Sequence, residues 1–111
     1  GHIVCVADRD QLIAVSGGGK KDLIMKSIHK DLENVINERV NVLAANKDKN
    51  YCKISNDEEE YAYEVVTPII SEGDAIGAVI ILTKDTKVKF GELEVKLAQS
   101  AAGFLGRQME Q

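Results

Sequence analysis

The residues of this sequence that could do chemistry begin with a cluster of glycines and lysines, Gly17-Gly18-Gly19-Lys20-Lys21. The cluster leads into a segment with helical spacing of apolar residues, and amides at a helix start can bind an anion together with ammonium groups. It lacks the spacing of a phosphate-binding P-loop and the Ser or Thr that follows the P-loop lysine. Two interpretations stand: contact with an anionic ligand, or a flexible turn without one.

The other residues capable of catalysis or metal binding are few and scattered. His2 and His29 are far apart in the sequence, and the acidic residues 57–60 lack the alternating ligands and central glycine of a calcium loop. Cys5 and Cys52 lack the Cys-x-x-Cys or Cys/His spacing of zinc and thioredoxin-like sites. We predict buried, reduced cysteines and solvated histidines and acids, and hence no metal site, no known cofactor and no enzyme.

Charge and hydropathy narrow the function classes. The 111 residues carry 14 Lys and Arg against 18 Asp and Glu, a net charge of −4, which disfavours direct nucleic-acid binding because that needs clustered basic residues. No run approaches the roughly 20 apolar residues that span a bilayer, and no secretory leader opens the chain. We expect one cytoplasmic domain without a membrane partner. The chain lacks an initiator Met, so we also expect a fragment, whose Gly1 and His2 are either native or left from a tag.

The apolar pattern predicts an α+β fold. Strands are predicted over residues 3–7, 11–16, 40–45, 51–55, 61–70 and 75–83. Helices are predicted over residues 20–26, 27–39 with Ser27 as N-cap, and 90–111. This order indicates a mostly antiparallel sheet of about six strands flanked by helices. Gly73 can take the positive φ of a hairpin turn, and Pro68 indicates a bulge or an edge position.

The last predicted helix carries two apolar stripes about 120° apart, whereas a helix in a monomer typically buries an arc of about 100°. One stripe contains Phe90, Leu93, Leu97, Ala101 and Phe104, and the other contains Val95, Ala98, Ala102, Leu105 and Met109. One stripe can face the sheet, and the other needs a partner. The second has the spacing of a coiled-coil seam and small alanines, so we predict that it forms the interface of a homodimer. A thick core helix in a monomer is the alternative.

A second candidate site is a ligand pocket between sheet and helices. Alternate residues of the strand over residues 61–70 share one face and could line a cavity. The predicted lining consists of Ser16, Gly17, Gly18, Lys20, Tyr63, Val65 and Thr67. Ordinary core packing of the strand residues is the alternative.

Several motifs add a family resemblance. Residues 68–81, PIISEGDAIGAVII, are similar to the proline, hairpin and Ile-Gly-aliphatic strand of GAF domains, which are small-molecule sensors related to PAS folds. The segments IAVSG (13–17), KKD (20–22), KSI (26–28) and AAGFLGRQMEQ (101–111) resemble the C-terminal GAF-like domain family of the sporulation stage V protein T. The resemblance covers the whole chain and implies a GAF-like fold whose long terminal helix joins a dimer bundle.

In that family, transcription regulators of spore-forming bacteria, an N-terminal DNA-binding domain of the AbrB type precedes this domain. The resemblance implies a homodimer, or a tetramer of the full-length protein, that senses an unidentified small-molecule effector. Through the DNA-binding domain, which these residues lack, it would activate or repress forespore genes.

Three hypotheses follow from these observations. The first is a sensory and dimerising domain, and the second is a structural dimerisation module without a pocket. The third, remote one is a cysteine-based sulfoxide reductase, which would need Cys5 or Cys52 exposed with a depressed pKa and a resolving partner within reach.

Overall fold

The structure, a computed structural model, describes residues 2–18, 20–56 and 60–110, with the side chain of Lys20 excepted. It contains the strands β1 (Ile3–Ala7), β2 (Leu12–Ser16), β3 (Val42–Ala45), β4 (Tyr63–Ser71) and β5 (Asp74–Thr83), and the helices α1 (Lys20–Leu23), α2 (Lys30–Glu38) and α3 (Glu92–Gln108). The strands form one sheet in the order β2-β1-β5-β4-β3, and every pairing is antiparallel. The predicted α+β fold is confirmed, but the sheet of the described residues has five strands, one fewer than predicted.

Residues 51–55, predicted as a strand, form an irregular segment that we call the strap. The amide of Cys52 donates to Glu64 Oε2 (2.5 Å), and the amide of Lys53 donates to Asp31 Oδ2 (3.3 Å). Side-chain carboxyls therefore take amides that a strand ladder would need. Because β3 already occupies the outer edge of β4 along residues 63–66, the strap lies across one face of the sheet instead of joining it.

Helix α2 begins later than the sequence predicts. Ser27, the predicted N-cap, forms an isolated β-bridge with Gln11, so the chain is still extended there. His29 has a β conformation (φ −75°, ψ 154°), and its Nδ1 accepts a hydrogen bond from the amide of Asp31 at 3.0 Å. His29 is therefore the N-cap in place of Ser27, because its side chain satisfies an amide of the first helical turn. The helix ends at Arg39, which has a left-handed conformation (φ 59°).

The hairpin between β4 and β5 forms as predicted. Glu72 and Gly73 connect the strands with φ angles of 51° and 85°, and a two-residue turn of type I′ needs such a pair of positive angles. Pro68 lies beyond Val66, where the pairing of β4 with β3 ends, and close to a register irregularity in the β4–β5 pairing. The predicted edge or bulge position of Pro68 is confirmed.

The turn of this hairpin has hydrogen bonds to both helical layers. Arg39, at the end of α2, donates through Nη2 to Gly73 O (2.5 Å), and the amide of Glu72 donates to the carboxylate of Glu110, just beyond α3 (3.2 Å). Helices α2 and α3 pack into different apolar clusters, described next, so the turn contacts the ends of two separate layers.

The sheet separates two apolar clusters. One lies under α1, α2 and the strap, and its fully buried members include Cys5, Leu12, Leu32, Ile36, Ile80 and Leu82. The other lies under α3 and contains Val65, Ile69, Val79, Ile81, Phe90, Ala98 and Ala102. Helix α3 approaches β4 so closely that a Cβ on Gly106 would lie 2.1 Å from Ile70 O. The helix can sit this close to β4 because residue 106 has no side chain.

The stripe of α3 that was predicted to form the dimer seam supplies the residues that the sheet buries most deeply. Ala98 and Ala102 are 0% and 4% exposed and pack on the sheet of their own chain, with Val95 and Leu105 packed against the same cluster. Leu97 and Phe104, from the other stripe, are 54% and 55% exposed. The prediction that Val95, Ala98, Ala102, Leu105 and Met109 form the dimer seam is therefore wrong for Ala98 and Ala102, because the sheet of their own chain buries both. Val95 and Leu105 are partly buried against that cluster and Met109 is exposed, so for these three residues the dimer seam stays a prediction.

Candidate docking surface and ligand sites

Helix α3 packs on β4 and β5 and leaves the part of the sheet formed by β1 and β2 largely uncovered. Val4 and Ile13 are exposed on that part of the sheet. Beside them lies an apolar groove of about 220 Å³ between the sheet and the end of α3, lined by Val6, Ala7, Asp8, Ile13, Ile69, Ile76, Leu105 and Met109. An apolar area of the sheet is thus open next to α3.

The exposed stripe of α3 continues into this groove. Leu93, Leu97, Ala101 and Leu105 follow i,i+4 spacing and form one row along the helix. The row begins with Leu93, which is 66% exposed, and ends with Leu105 in the wall of the groove. We define the docking surface as this row with Phe104 on α3, together with Val4, Val6, Ile13 and Ile76 on the sheet.

His2 fixes the start of the chain beside the start of α3. Its ring meets Phe90 edge-on, with centroids 4.8 Å apart, and its Nε2 lies 4.0 Å from Glu94 Oε2. Glu94 also caps the helix, because its Oε1 accepts a hydrogen bond from the amide of Gly91 at 2.8 Å. Chain preceding His2 would therefore enter next to α3.

Helix α3 covers the face of β4 that carries Tyr63 and Val65, which were predicted to line a ligand pocket together with Thr67. Val65 is completely buried under α3, and Tyr63 packs against Phe90 with ring centroids 5.8 Å apart. Thr67 lies farther along, in the wall of a separate cleft. The prediction is corrected because α3 covers this face of the strand, so two of its three candidate residues belong to the core.

The glycine cluster lies at a different place, at the end of β2. Gly17 has a φ of 98°, and a Cβ there would lie 2.4 Å from His2 O, so the turn itself requires glycine. A cleft of about 420 Å³ is lined by His2, Ile3, Gly17, Gly18, Thr83, Lys84 and Asp85. Ser16 is exposed, and the side chain of Lys20 lies outside the described part of the chain. The cluster and Thr67 thus line separate clefts.

The opposite face of β4 carries a buried carboxyl that was not predicted from the sequence. Glu64 is 0% exposed and lies beneath the strap. Its Oε2 accepts the amide of Cys52, while its Oε1 has no hydrogen-bond partner among the residues that the structure describes. The available signal was a single carboxylate inside the β-branched run of β4, YEVVTPIIS, where a charged side chain at an interior strand position needs an explanation.

Burial controls the protonation of Glu64. The loss of hydration raises its pKa to about 8, the amide of Cys52 opposes this shift, and the nearby carboxylate of Asp31 adds to it. Glu64 is therefore mostly protonated at neutral pH. Burial, with a smaller contribution from Glu64, also raises the pKa of the Tyr51 hydroxyl to about 12, although the hydrogen bond from Tyr61 to that hydroxyl works in the opposite direction.

A second cleft opens at the outer edge of β4, beyond the point where β3 ends. We call it the open-edge cleft; it has a volume of about 280 Å³ and is lined by Arg39, Asn41, Thr67, Pro68, Ile70, Gln99, Ala102 and Gly103. Its walls come from the end of α2, the strand β4 and one flank of α3. It combines a guanidinium, two carboxamides and a hydroxyl with an apolar floor, a composition typical of small-molecule sites.

Comparison with known proteins identifies the family. Residues 1–110 match the family described as stage V sporulation protein T C-terminal, transcription factor. The chain belongs to this family. It is 46% identical over all 111 residues to stage V sporulation protein T of Bacillus subtilis (strain 168), and it spans 61% of the length of that relative.

Solved structures share the fold at low identity. A type II free methionine-R-sulfoxide reductase from Thermoplasma acidophilum superposes with a TM-score of 0.69 at 16% identity, over 95% of this chain and 76% of that one. Residues 122 to 287 of a methyl-accepting chemotaxis protein superpose with a TM-score of 0.70 at 12% identity, over 95% of this chain and 75% of that one. Likeness at this identity concerns the fold alone.

The two thiols of this family member lack the properties of a redox nucleophile. Cys5 and Cys52 are buried and free. Burial raises the pKa of Cys5 to about 11, and burial together with the neighbouring Glu64 raises the pKa of Cys52. A reactive cysteine needs the opposite shift and an exposed sulfur. The condition set by the sulfoxide-reductase hypothesis is therefore not met by either thiol.

Residues 2–18, 20–56 and 60–110 contain neither a membrane-spanning helix nor a metal-binding cluster. No helix there combines the length and apolar character needed to cross a membrane. Within the same ranges, no three His, Cys, Asp or Glu side chains are grouped so that they could hold a metal ion.

Proposed function

We propose that this domain is the regulatory part of a cytoplasmic sporulation transcription factor. It joins two copies of the protein through α3 and passes a small-molecule signal to a DNA-binding region outside these residues. Membership of the stage V sporulation protein T family supports the regulatory role. The docking surface is the observation that carries the proposal.

An apolar surface of this kind favours a protein partner. Leu93, Leu97 and Phe104 are each more than half exposed on the outer side of α3, and large contiguous apolar patches on soluble proteins mark interaction sites. Burial of apolar area stabilises association by about 25 cal/mol per Å² before the costs of association are subtracted. The 17 residues of α3 extend over roughly 25 Å, which is long enough for several turns of a partner helix.

The groove and the outer stripe suit two different occupants. Because His2 lies beside the start of α3, a segment preceding it can run antiparallel to β1, between α3 and the open strands. The relative in Bacillus subtilis is longer than this chain, so we propose that a helix of such a preceding segment fills the groove. The outer stripe of Leu93, Leu97 and Phe104 then pairs with α3 of the second copy.

The first test measures oligomeric state. We expect the chain to sediment as a dimer in analytical ultracentrifugation, and Leu97→Glu and Phe104→Glu to sediment as monomers because a charge would be buried at the interface. Val40→Glu is the matched control, since Val40 is an exposed apolar residue outside the docking surface. Dimers that persist in both α3 variants, or that dissociate equally in the control, would contradict the proposal.

A structural assembly module without an effector is the second candidate function. Complete burial of Val65, where a ligand pocket was predicted, favours it. The ligand titration described below distinguishes the two candidates, because a purely structural module binds no small molecule in a cleft next to α3.

A further inference from the structure

The open-edge cleft carries a specific inference about the signal. It exists because the pairing of β3 with β4 ends at Val66, so the next residues of β4 pair with β5 on one edge and, among the described residues, with no strand on the other. Helix α3 forms one wall through Gln99, Ala102 and Gly103, and Arg39 lies in the wall formed by the end of α2. The cleft therefore touches both helical layers at once.

Thr67 provides an unsatisfied hydrogen-bonding group in the wall of this cleft. The residue is 6% exposed, and its Oγ1 has no hydrogen-bond partner among the described residues. Buried hydroxyls in native proteins nearly always have a partner, and an exception needs an explanation. Because Oγ1 is itself covered, the side chains at the base of the cleft must move apart before a ligand oxygen can reach it.

Arg39 sets the charge of the cleft. It is the charged member of the lining, which contains no acidic side chain among the described residues. Its Nη2 donates to Gly73 O at 2.5 Å, which holds the guanidinium beside the cleft, and a guanidinium has five N–H donors in all. Asn41 and Gln99 add carboxamide donors. These groups favour a ligand that carries acceptor oxygens and a negative charge.

The remaining lining is apolar and small. Pro68, Ile70, Ala102 and Gly103 form it, and the volume of about 280 Å³ is close to the lower end of the range for small-molecule sites. A single guanidinium matches one carboxylate in a bidentate geometry. A multiply charged phosphate compound would find one cation and an apolar floor, which suits it less well.

We propose that the open-edge cleft binds a compact organic monocarboxylate, whose oxygens pair with Arg39 and the Thr67 hydroxyl and whose hydrocarbon part lies on Pro68 and Ala102. This inference rests on the proposed regulatory function and deepens it. Gln99 and Gly103 lie on the flank of α3 that faces away from the groove, so occupancy of the cleft would bias the position of the same helix that carries the docking surface.

The test is a titration followed by ¹H–¹⁵N NMR of the 111-residue chain. The probes are propionate, butyrate, isovalerate and hexanoate, each with its primary amide as an uncharged control and with inorganic phosphate as a competing anion. We expect the carboxylates to shift the signals of Thr67 and Gly103 and the side-chain amides of Asn41 and Gln99, and the amides to leave them unchanged. Equal shifts with the amides, shifts with phosphate alone, or no shifts with any carboxylate would overturn the proposal.

Variants assign the binding to the named groups. Arg39→Gln and Thr67→Val are each expected to weaken carboxylate binding at least tenfold. Arg9→Gln should leave it unchanged, because Arg9 bonds to Ala75 O in a neighbouring cleft. Thr67→Val keeps the shape of the strand and provides a test if Arg39→Gln folds poorly. Binding that is retained in Thr67→Val, or lost equally in Arg9→Gln, would refute the assignment.

The titration is also made on Leu97→Glu, which is expected to be monomeric and to keep its affinity for the carboxylate. This separates the two proposals. Carboxylate binding by an unmodified chain that sediments as a monomer would refute assembly through α3 and support the cleft. An unmodified chain that dimerises without binding any carboxylate would refute the cleft and support assembly.

Discussion

Glu64 lies in a part of the core that water does not reach, and its carboxyl keeps a proton that an exposed glutamate would lose. The strap is held over it by the amide of Cys52, and the second carboxyl oxygen has no partner among the described residues. Alternation along β4 could have placed this side chain under the strap, but no local pattern predicts that a loop will cover an acid. The N-cap of α2 could not be predicted locally either, because both Ser27 and His29 precede residues with helical spacing. Ser27 forms a β-bridge with Gln11, so His29 caps the helix.

Titration of Glu64 makes the stability of the domain dependent on pH. The folded chain holds this proton up to a pKa of about 8, whereas an ordinary glutamate releases it near 4.5. The stabilisation that the Glu64 proton gives the folded chain is therefore fully present below about pH 4.5 and is lost as pH rises to about 8. Over this range the free energy of unfolding falls by at most about 1.4 kcal/mol per pH unit.

We expect Glu64→Gln to remove this dependence, because the amide oxygen can still accept from Cys52 and the side chain stays neutral at every pH. The measurement is urea unfolding between pH 5 and pH 9 for the wild type, Glu64→Gln and the exposed control Glu38→Gln. The Glu64→Gln variant should become more stable than the wild type toward pH 8. Parallel pH profiles for wild type and Glu64→Gln would show that Glu64 does not titrate in this window.

At the scale of elements, the sequence predicted that α3 has two apolar stripes, but Ala98 and Ala102, which were expected at a dimer seam, lie on the sheet of their own chain. Hydrophobic spacing gives the width of the apolar arc and does not say which side meets a sheet. The row Ala98, Ala102 and Gly106 was the informative signal, because small residues allow close approach to a strand as well as to a helix. The predicted strand over residues 51–55 failed for another reason: side chains distant in sequence, Glu64 and Asp31, took its amides.

Gly106→Ala tests how α3 is seated. An added methyl group would lie 2.1 Å from Ile70 O, so we expect a loss of about 1–3 kcal/mol in the free energy of unfolding despite the better helix propensity of alanine. Gly103→Ala is the matched control, since its nearest neighbour is the mobile end of Arg107 at 3.4 Å; it should be neutral or stabilising by up to about 1 kcal/mol. If the two variants change the free energy of unfolding in urea equally, α3 can shift on the sheet without loss of stability.

At the scale of the whole molecule, the order of elements was enough to predict the α+β class and the antiparallel sheet. It did not predict the candidate sites, because each of them depends on which layer covers which strand. Tyr63, Val65 and Thr67 do share one face of β4, as predicted, but α3 buries Val65 and the end of β3 opens a cleft at Thr67. Which residues line a site therefore depends on how the layers pack, and local sequence patterns do not specify that packing.

Ile13→Asp tests whether the groove is filled in a longer protein. In the 111-residue chain Ile13 is exposed, so the change should alter the free energy of unfolding by less than about 0.5 kcal/mol. In a protein that also carries the preceding segment, we expect a loss of about 1–3 kcal/mol, because the carboxylate would be covered by that segment. The free energy of unfolding is measured in urea for both proteins, with Val40→Asp as the control. If Ile13→Asp causes the same small change in both, the preceding segment does not fill the groove.

The β4–β5 turn has one more consequence. Gly73 O accepts a hydrogen bond from Arg39 at the end of α2, and the amide of its neighbour Glu72 donates to Glu110 beyond α3. Two adjacent residues of the turn are therefore tethered to the two helical layers. A carboxylate that draws the Arg39 guanidinium deeper into the open-edge cleft would lengthen the hydrogen bond from Nη2 to Gly73 O. If that bond breaks, the hairpin tip is held from the α3 side alone, and the change from two tethers to one takes place within two residues of the turn.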